Sequence, residues 1–324
     1  MPAPIWTDYV GKFTVSNCVF VKCVSRINKG NVLTSNVATE VTFDGCTFLN
    51  CGNDVTQAIT KFYSASASVK YTSCTFYFDI ETLSCPAISG ESSNVVIDHC
   101  SFTKCAAVNI DTQTNPTNTK IFQFTNNIVT SSNQRVINVN NFLHTKPIIH
   151  SNKFNNHNLN NSYFIVLRHD INEEIEFYNN TFTNITTRGD QKVFGGSIAL
   201  WVQTRDSIKN NLVFDKCKFI NNRNDWEKQP SNQGGAIQYG HSKSIANVEM
   251  KFIGCEFTEN QCTYGNGGAI ACSINHDLYI SDCIFENNNA LKGGAIYIWG
   301  KIIDPTSDQQ VSDPLQMQSI TITN

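Results

Sequence analysis

The sequence predicts an all-β protein, a right-handed, single-stranded parallel β-helix (a solenoid) of about ten coils with three short strands per coil. Apolar residues alternate at a spacing of two, as they do in strands, and the alternating runs are rich in Val, Ile, Phe and Thr. The same pattern recurs along the whole chain. No segment shows the periodicity of an amphipathic helix.

The repeat is centred on a Cys-x-Phe motif or its equivalent. Aligning the motifs gives ten register positions separated by 28, 28, 26, 27, 25, 28, 37, 38 and 28 residues. These positions are Cys18, Cys46, Cys74, Cys100, Asn127, Asn152, Asn180, Cys217, Cys255 and Cys283. An apolar side chain follows two residues later in every repeat: Phe20, Phe48, Phe76, Phe102, Val129, Phe154, Phe182, Phe219, Phe257 and Phe285. Another precedes each register position by three residues, from Val15 to Ile280.

A repeat of this length holds three short strands and three turns, whereas a propeller blade needs about 40–45 residues. Winding the strands as a solenoid stacks each one in parallel on its equivalent in the next coil. The handedness of parallel crossovers makes the helix right-handed. Each interior position then becomes a ladder. We expect the phenylalanine ladder at the centre of the core and the Cys/Asn register ladder beside it.

The later repeats have two further regular features. From the seventh repeat onward the third strand begins with Gly-Gly, at 195–198, 234–237, 267–270 and 293–296. Glycine permits positive φ and close backbone approach, and the residue after the pair, usually Ala, is small enough to point inward. Asn222, Asn260 and Asn288 lie five residues after a register position, where early repeats have Cys. We expect these asparagines at left-handed corners, bonded to their stacked neighbours.

We expect residues 1–324 to form one continuous β-helix, with 1–12 as a lead-in or cap and 319–324 as the start of a further, truncated coil. Insertions at 223–233, 202–211, 239–247 and 300–317 lengthen the later coils. The last three leave the same corner and should project from one edge. Insertions of this kind often form the binding face of a repeat protein. The candidate binding residues beside or within them are Trp226, Tyr239, His241 and Trp299.

The thirteen cysteines favour a ladder of unpaired, buried thiols over a set of disulfides. Seven of them occupy register positions, and Cys23, Cys51 and Cys105 share the position five residues later. Equivalent positions in neighbouring coils are close enough to bridge, but parallel side chains point the same way and disfavour the bond. A disulfide framework, typical of secreted chains, remains the alternative.

Charge and hydropathy exclude some classes of function. The charged fraction is 16% and the net charge is −3, whereas a nucleic-acid partner requires a basic surface. No run approaches the roughly 18 apolar residues of a membrane span. The first residues have neither the basic nor the apolar region of a secretory signal.

The pairing of Phe-x-x-Asn with Gly-Gly-Ala-Ile resembles the repeats of the chlamydial polymorphic outer-membrane protein family. Phe-x-x-Asn begins at Phe219, Phe257 and Phe285. Gly-Gly-Ala-Ile follows each of them, at Gly234–Ile237, Gly267–Ile270 and Gly293–Ile296. The resemblance is clear over 195–298 and weaker before, where Phe-x-x-Cys replaces Phe-x-x-Asn. Similar repeats occur in surface proteins of parasitic protists, and the Asn-rich composition favours such a source. The resemblance implies a right-handed β-helix of the pectin lyase-like class at the cell surface, with adhesin-like binding.

No catalytic, cofactor or metal site is predicted. Asp44, Asp98 and Asp215 share one offset and directly precede a corner, where Asp is a common turn residue. Asp44 and Asp98 fall two coils apart, roughly 10 Å, which is long for a glycosidase pair. The histidines His150, His241 and His276 fall at different offsets and do not stack. There is no Cys-x-x-Cys motif for structural zinc.

Three hypotheses of different classes are consistent with these features. The leading one is a non-enzymatic protein at the cell surface or outside the cell, whose projecting loops bind a host or neighbouring cell-surface protein or glycan. The second is a carbohydrate-active β-helix enzyme, a polysaccharide lyase or glycoside hydrolase, which requires a groove lined by carboxylates. The third is an intracellular, cytoplasmic scaffold, which free thiols and the missing signal would suit.

Overall fold

The computed structural model describes residues 5–7, 11–24, 32–35, 39–52, 58–63, 68–79, 86–91, 94–111, 121–133, 135–142, 147–160, 164–169, 174–189, 198–199, 210–227, 234–239, 248–273, 276–299 and 320–323. Within these ranges every regular element is a strand, and the strands pair in parallel with their equivalents one repeat away. The predicted parallel β-helix is confirmed. The chain divides into two compact units, Met1–Asn158 and Leu159–Asn324.

The first unit has three strands per coil, and its strands form three parallel sheets. The leading sheet stacks Lys12–Ser16, Glu40–Asp44, Ser68–Thr72, Asn94–Asp98, Ile121–Thr125 and Ile148–His150. The phenylalanine sheet stacks Val19–Val21, Thr47–Leu49, Thr75–Tyr77, Ser101–Thr103, Ile128–Thr130 and Lys153–Asn160. The return sheet stacks Ile5–Thr7, Leu33–Ser35, Thr60–Tyr63, Pro86–Glu91, Ala106–Asp111 and Ile137–Phe142.

The second unit repeats the first two sheets. Its leading sheet stacks Glu174–Tyr178, Asn210–Asp215, Val248–Ile253, His276–Ser281 and Ile320–Thr323. Its phenylalanine sheet stacks Thr181–Gly189, Lys218–Ile220, Glu256–Thr258 and Ile284–Glu286. Ile165–His169 is a strand of the return type.

A fourth strand is added to the three predicted ones in the coils of the second unit. This bridging sheet stacks the end of Thr181–Gly189 with Arg223–Trp226, Gln261–Asn266 and Asn289–Lys292. The glycine sheet comes after it and stacks Ile198–Ala199, Ile237–Tyr239, Ile270–Ser273 and Ile296–Trp299. The inward column of the bridging sheet is Thr187, Asn224, Cys262 and Ala290. Because these side chains are short, the strand can lie close to the core.

The second glycine of each Gly-Gly pair allows the coils to stack closely. A Cβ on Gly235 would lie 2.0 Å from the carbonyl oxygen of Gly268, and one on Gly268 would lie 1.9 Å from that of Gly294. The first glycine supplies positive φ at two of the pairs, +76° at Gly267 and +59° at Gly293. The first glycine also needs close backbone approach, since a Cβ on Gly234, Gly267 or Gly293 would lie 1.9–2.3 Å from the carbonyl oxygen three residues later. Glycine therefore serves both purposes that the sequence predicted.

The core of each unit is a column of stacked phenylalanine rings. In the first unit Phe20, Phe48, Phe76 and Phe102 stack at centroid distances of 5.2, 4.6 and 4.8 Å. In the second, Phe182, Phe219, Phe257 and Phe285 stack at 5.0, 4.7 and 4.8 Å. The first column loses its ring at Val129, where Phe124 lies between Phe102 and Phe154 at 6.1 and 6.2 Å.

Each coil bends sharply at left-handed residues. The first corner, between the leading and phenylalanine strands, has φ of 53–62° at Asn17, Gly45, Ser73, His99, Asn126, Ser151, Asn179, Lys216, Gly254 and Asp282. The second corner, after the phenylalanine strand, has φ of 50–58° at Lys22, Asn50, Lys104, Ser131, Asn156, Asn184, Asn221, Glu259 and Asn287. The left-handed residue therefore precedes Asn222, Asn260 and Asn288 by one, which corrects the predicted position.

Candidate functional site

The register residues form a ladder of side-chain bonds to the backbone at the first corner. Seven of them donate to the carbonyl of the residue three before their neighbour in the preceding coil. The thiols of Cys46, Cys74, Cys217, Cys255 and Cys283 donate to Val15, Phe43, Phe177, Phe214 and Phe252 at 3.1–3.5 Å. The amides of Asn127 and Asn152 do the same to Ile97 and Phe124 at 3.0 and 2.8 Å. Cysteine and asparagine are thus alternative donors for one backbone requirement.

The second corner uses the same geometry, and here the carbonyl belongs to the core position itself. Asn222, Asn260 and Asn288 donate to the carbonyls of Phe182, Phe219 and Phe257 at 3.0, 2.8 and 2.8 Å. Their Oδ1 atoms accept from the backbone N–H of the preceding ladder residue at 3.0–3.1 Å. In the first unit Cys51 donates to Phe20 at 3.3 Å. These bonds satisfy backbone groups that the corner removes from the strand ladders.

The twelve cysteines within the described ranges are all free thiols. Burial raises the pKa of Cys51, Cys262 and Cys272 to about 12. A thiol with so high a pKa stays protonated at neutral pH, so it is a hydrogen-bond donor and a poor nucleophile. Cys51 of the corner ladder, Cys262 of the bridging sheet and Cys272 of the glycine sheet are consequently structural thiols.

His157 occupies the second corner of the last coil of the first unit and is 1% exposed. Its Nδ1 accepts from the N–H of Ser132 at 3.1 Å, and its Nε2 lies 3.1 Å from the carbonyl of Val129. These are the two bonds that asparagine makes in the second unit. Burial lowers the pKa of His157 to about 4. Its offset of five residues after Asn152 was visible in the sequence, but a histidine was not expected to replace asparagine.

The carboxylates considered as catalytic candidates lie at the end of leading strands. Asp44 and Asp98 are each paired with Thr72, which places them two coils apart, as the sequence indicated. Asp98 accepts from Thr125 at 2.7 Å and Asn126 at 2.9 Å, and it contacts His99 at 2.9 Å. Burial acts to raise the pKa of Asp98, but these hydrogen bonds outweigh it and the pKa lies below its usual value. Its partners are those of a turn residue.

Among the residues that the structure describes, no three His, Cys, Asp or Glu side chains are grouped as metal ligands. His150 and His276 lie on leading strands, at different positions. His241 lies outside the described residues.

The candidate binding residues are placed only by their backbones. Trp226 ends a strand of the bridging sheet, and Tyr239 and Trp299 end strands of the glycine sheet. Residues 202–209, 240–247 and 300–317 of the predicted loops lie outside the described residues, as does 228–233. Tyr239 and Trp299 therefore stand where two of these segments begin.

The outer face of the bridging sheet carries an ion cluster that sequence reasoning missed. Asp225 lies beside Arg188 of the preceding coil, and the Nε of Arg188 is 3.7 Å from Asp225 Oδ2. The Nε of Arg223 lies 2.6 Å from Asp225 Oδ1, and the hydroxyl of Thr263 donates to the same oxygen. The cluster was not predictable, because it depends on how two repeats separated by a 37-residue step align with each other. It also depends on the bridging strand, which the sequence did not predict.

No helix long and apolar enough to cross a bilayer occurs in the described part of the chain.

The model of the Chlamydia polymorphic membrane protein repeat matches residues 254–273 and 282–298. Among curated proteins, the chain is 40% identical over 57 residues to the probable autotransporter YfaL of Escherichia coli strain K12. This match spans 18% of the chain and 4% of that relative. No solved structure matches the chain. Both matched repeats have the amide corner and the Gly-Gly pair, so the resemblance noted in the sequence is confirmed.

Proposed function

We propose that this protein, whose later coils carry the polymorphic membrane protein repeat, is a non-enzymatic β-helix protein displayed at a cell surface or secreted. In this proposal it binds a host or neighbouring cell-surface protein or glycan through segments inserted in the second unit. The repeat match carries the proposal, because it links these coils to proteins named for a membrane and for autotransport. The ladder chemistry supports it, since the corner residues form a rigid scaffold on which inserted segments can vary.

The inserted segments come directly after strands of one sheet, the glycine sheet. Tyr239 precedes residues 240–247, and Trp299 precedes residues 300–319. In the coil between them the same connection is short, because Ile270–Ser273 is followed at once by His276–Ser281. That coil provides a natural template for removing either insertion without changing the strand register.

The test replaces each insertion by this short connection. Since Tyr239 pairs with Cys272 and Val248 with His276, residues 240–247 are exchanged for the sequence of 273–275. Since Trp299 pairs with Ser273 and Ile320 with Leu278, residues 300–319 are exchanged for the sequence of 274–277. Replacement by Gly-Ser segments of unchanged length shows whether the loop side chains, and not the loop length, are needed for binding. Circular dichroism and thermal unfolding establish that each variant is folded.

We expect wild-type protein to bind intact cells or an immobilised glycan or protein panel, and the exchanged variants to lose about tenfold or more in affinity. Gly-Ser segments of equal length should fail as well, because they retain reach but no side chains. A folded double exchange that binds as wild type does would refute the loop-based function.

No observation in the described residues favours the carbohydrate-active alternative. Incubation of the same protein with a panel of polysaccharides tests for this enzymatic activity directly. Release of reducing or unsaturated sugar ends would favour the enzyme over the binding protein. For the scaffold alternative, fractionation of the source cells with surface labelling of intact cells decides the compartment.

A further inference from the structure

The geometry points to an oxyanion-binding subsite for an acidic polysaccharide on the outer face of the bridging sheet, formed by the guanidinium groups of Arg188 and Arg223. This inference rests on the proposed binding function and deepens it by naming a ligand class. The two side chains belong to successive coils of the second unit and share the carboxylate of Asp225.

The side chains of Arg188 and Arg223 both lie against Asp225, Arg223 through a hydrogen bond and Arg188 at ion-pair distance. Both approach Asp225 through Nε, and neither makes another polar contact with a residue that the structure describes. Their Nη groups are therefore free to donate, and the side chains are 56% and 46% exposed. Asp225 itself is only 13% exposed and is fixed by Thr263. The carboxylate thus anchors the Arg223 guanidinium directly and attracts the Arg188 guanidinium through charge, and both side chains are partly open to solvent.

Such an arrangement suits a carboxylate or sulfate group of a ligand. A guanidinium fork matches the two oxygens of an oxyanion, and charge-assisted bonds are about twice as strong as neutral ones. One carboxylate between two arginines leaves one positive charge uncompensated. Because the hydrogen bond to Asp225 already orients Arg223, less rotamer entropy is lost at that side chain when an anion binds.

The surrounding surface favours a polysaccharide over an acidic peptide. Arg223 is in register with Gln261, and Gln261 with Asn289, so amide side chains continue the column beside the arginine. Amides donate to and accept from hydroxyl groups. Arg223 and Asn224 are paired on both edges, with Thr186 and Thr187 on one side and with Gln261 and Cys262 on the other. A peptide therefore cannot add as a strand at this position, and recognition must come from side chains alone.

The test measures binding of the full chain to three short probes, an oligogalacturonate, a chondroitin sulfate oligosaccharide and poly-glutamate, with a neutral dextran oligosaccharide as blank. Calorimetry at low ionic strength and neutral pH keeps surface electrostatics measurable. The variants are Arg188→Gln with Arg223→Gln, and Arg223→Lys, which keeps the charge but loses the fork. Lys218→Gln is the matched control, because Lys218 is 55% exposed and paired with Glu256 on the neighbouring sheet.

We expect one or both acidic oligosaccharides to bind wild type, the carboxylate and sulfate probes together showing which oxyanion is preferred. The double variant should lose about tenfold or more, Arg223→Lys should lose a smaller but clear part, and Lys218→Gln should stay within about twofold. Equal binding by the double variant, no binding of either acidic oligosaccharide to wild type, or stronger binding of poly-glutamate would overturn the inference.

The loop exchanges test the proposed binding function separately from the oxyanion subsite. If they abolish cell binding while the arginine variants change nothing, the subsite is wrong and the proposed function stands. If the arginine variants lose the oligosaccharide while the loop exchanges leave cell binding intact, the subsite stands and the loop-based function fails.

Discussion

The two units meet the same backbone requirement at the second corner with different chemical groups. The first unit has Cys23, Cys51, Cys105 and His157 there, and the second has Asn222, Asn260 and Asn288. A thiol is a weak donor, whereas an amide donates and accepts strongly at once. Where the corner is an amide, the chain continues into the bridging strand and the Gly-Gly pair. The position of the corner side chain is therefore fixed by the fold, while its identity varies from coil to coil.

The phenylalanine column provides the largest expected difference. Phe219 is fully buried and stacks on both Phe182 and Phe257, so Phe219→Ala should cost about 4 kcal/mol of unfolding free energy. Val129→Ala, at the matching position of the first unit where the column has no ring, should cost about 2 kcal/mol. Urea denaturation measures both, and hydrogen exchange locates the loss in the mutated unit. Equal costs would contradict a larger contribution from the buried ring of Phe219 than from the side chain of Val129.

The corner amides should contribute more than the corner thiols. Asn260→Ala leaves the carbonyl of Phe219 and the N–H of Asn222 buried without their bonds, so we expect a loss of about 3 kcal/mol. Cys51→Ala removes one weak bond to Phe20 and should cost about 1 kcal/mol. Thermal unfolding with guanidinium titration compares them. A thiol variant as damaging as the amide variant would contradict the ranking of the two donors.

Protonation of His157 should destabilise the first unit in mildly acidic solution. Its pKa in the folded state, about 4, lies below the ordinary 6.5, so the unfolded chain binds the proton more readily. Stability is complete above pH 6.5 and falls progressively between pH 6.5 and about 4, by up to about 3 kcal/mol. The measurement is unfolding free energy against pH across this window.

His157→Asn is the matched control, because asparagine makes the equivalent two bonds at this corner in the second unit. The variant should lack the loss between pH 6.5 and 4. The lowered pKa of Asp98 adds a separate loss at lower pH, below its ordinary value of 3.8. A variant with the wild-type pH profile would assign the effect to other groups.

Much of the fold was predictable because its signals are local. Phe48 and Phe76 fall at matching places in repeats of equal length, and equal length with alternating apolar residues determines both strand and stacking. The bridging strand was missed because its inward residues, such as Asn224, Cys262 and Ala290, are small or polar. They do not give the alternation of large apolar side chains by which a strand is recognised. Their suitability depends on the space left by the neighbouring core, which no local pattern expresses.

The candidate sites were less predictable for a related reason. Asn222 was recognised as a corner residue, but the left-handed φ was predicted at Asn222 and is found at Asn221. A left-handed residue and a residue that bonds along the ladder are both small and polar, so the sequence does not distinguish them. The cluster of Arg188, Arg223 and Asp225 joins residues across an insertion of irregular length. Pairing such residues needs the coil-to-coil register in three dimensions.

The corner ladders have a consequence for how such a chain can grow. Each ladder side chain bonds to a backbone carbonyl, and several also accept from a backbone N–H, and every coil presents these groups whatever its sequence. A coil therefore needs no specific partner side chain in the coil before it. Tandem duplication of one repeat, or exchange of repeats between genes by recombination, would produce a compatible junction at once. As far as these corner bonds to the backbone are concerned, the array can lengthen and diversify without a matching change in its neighbours.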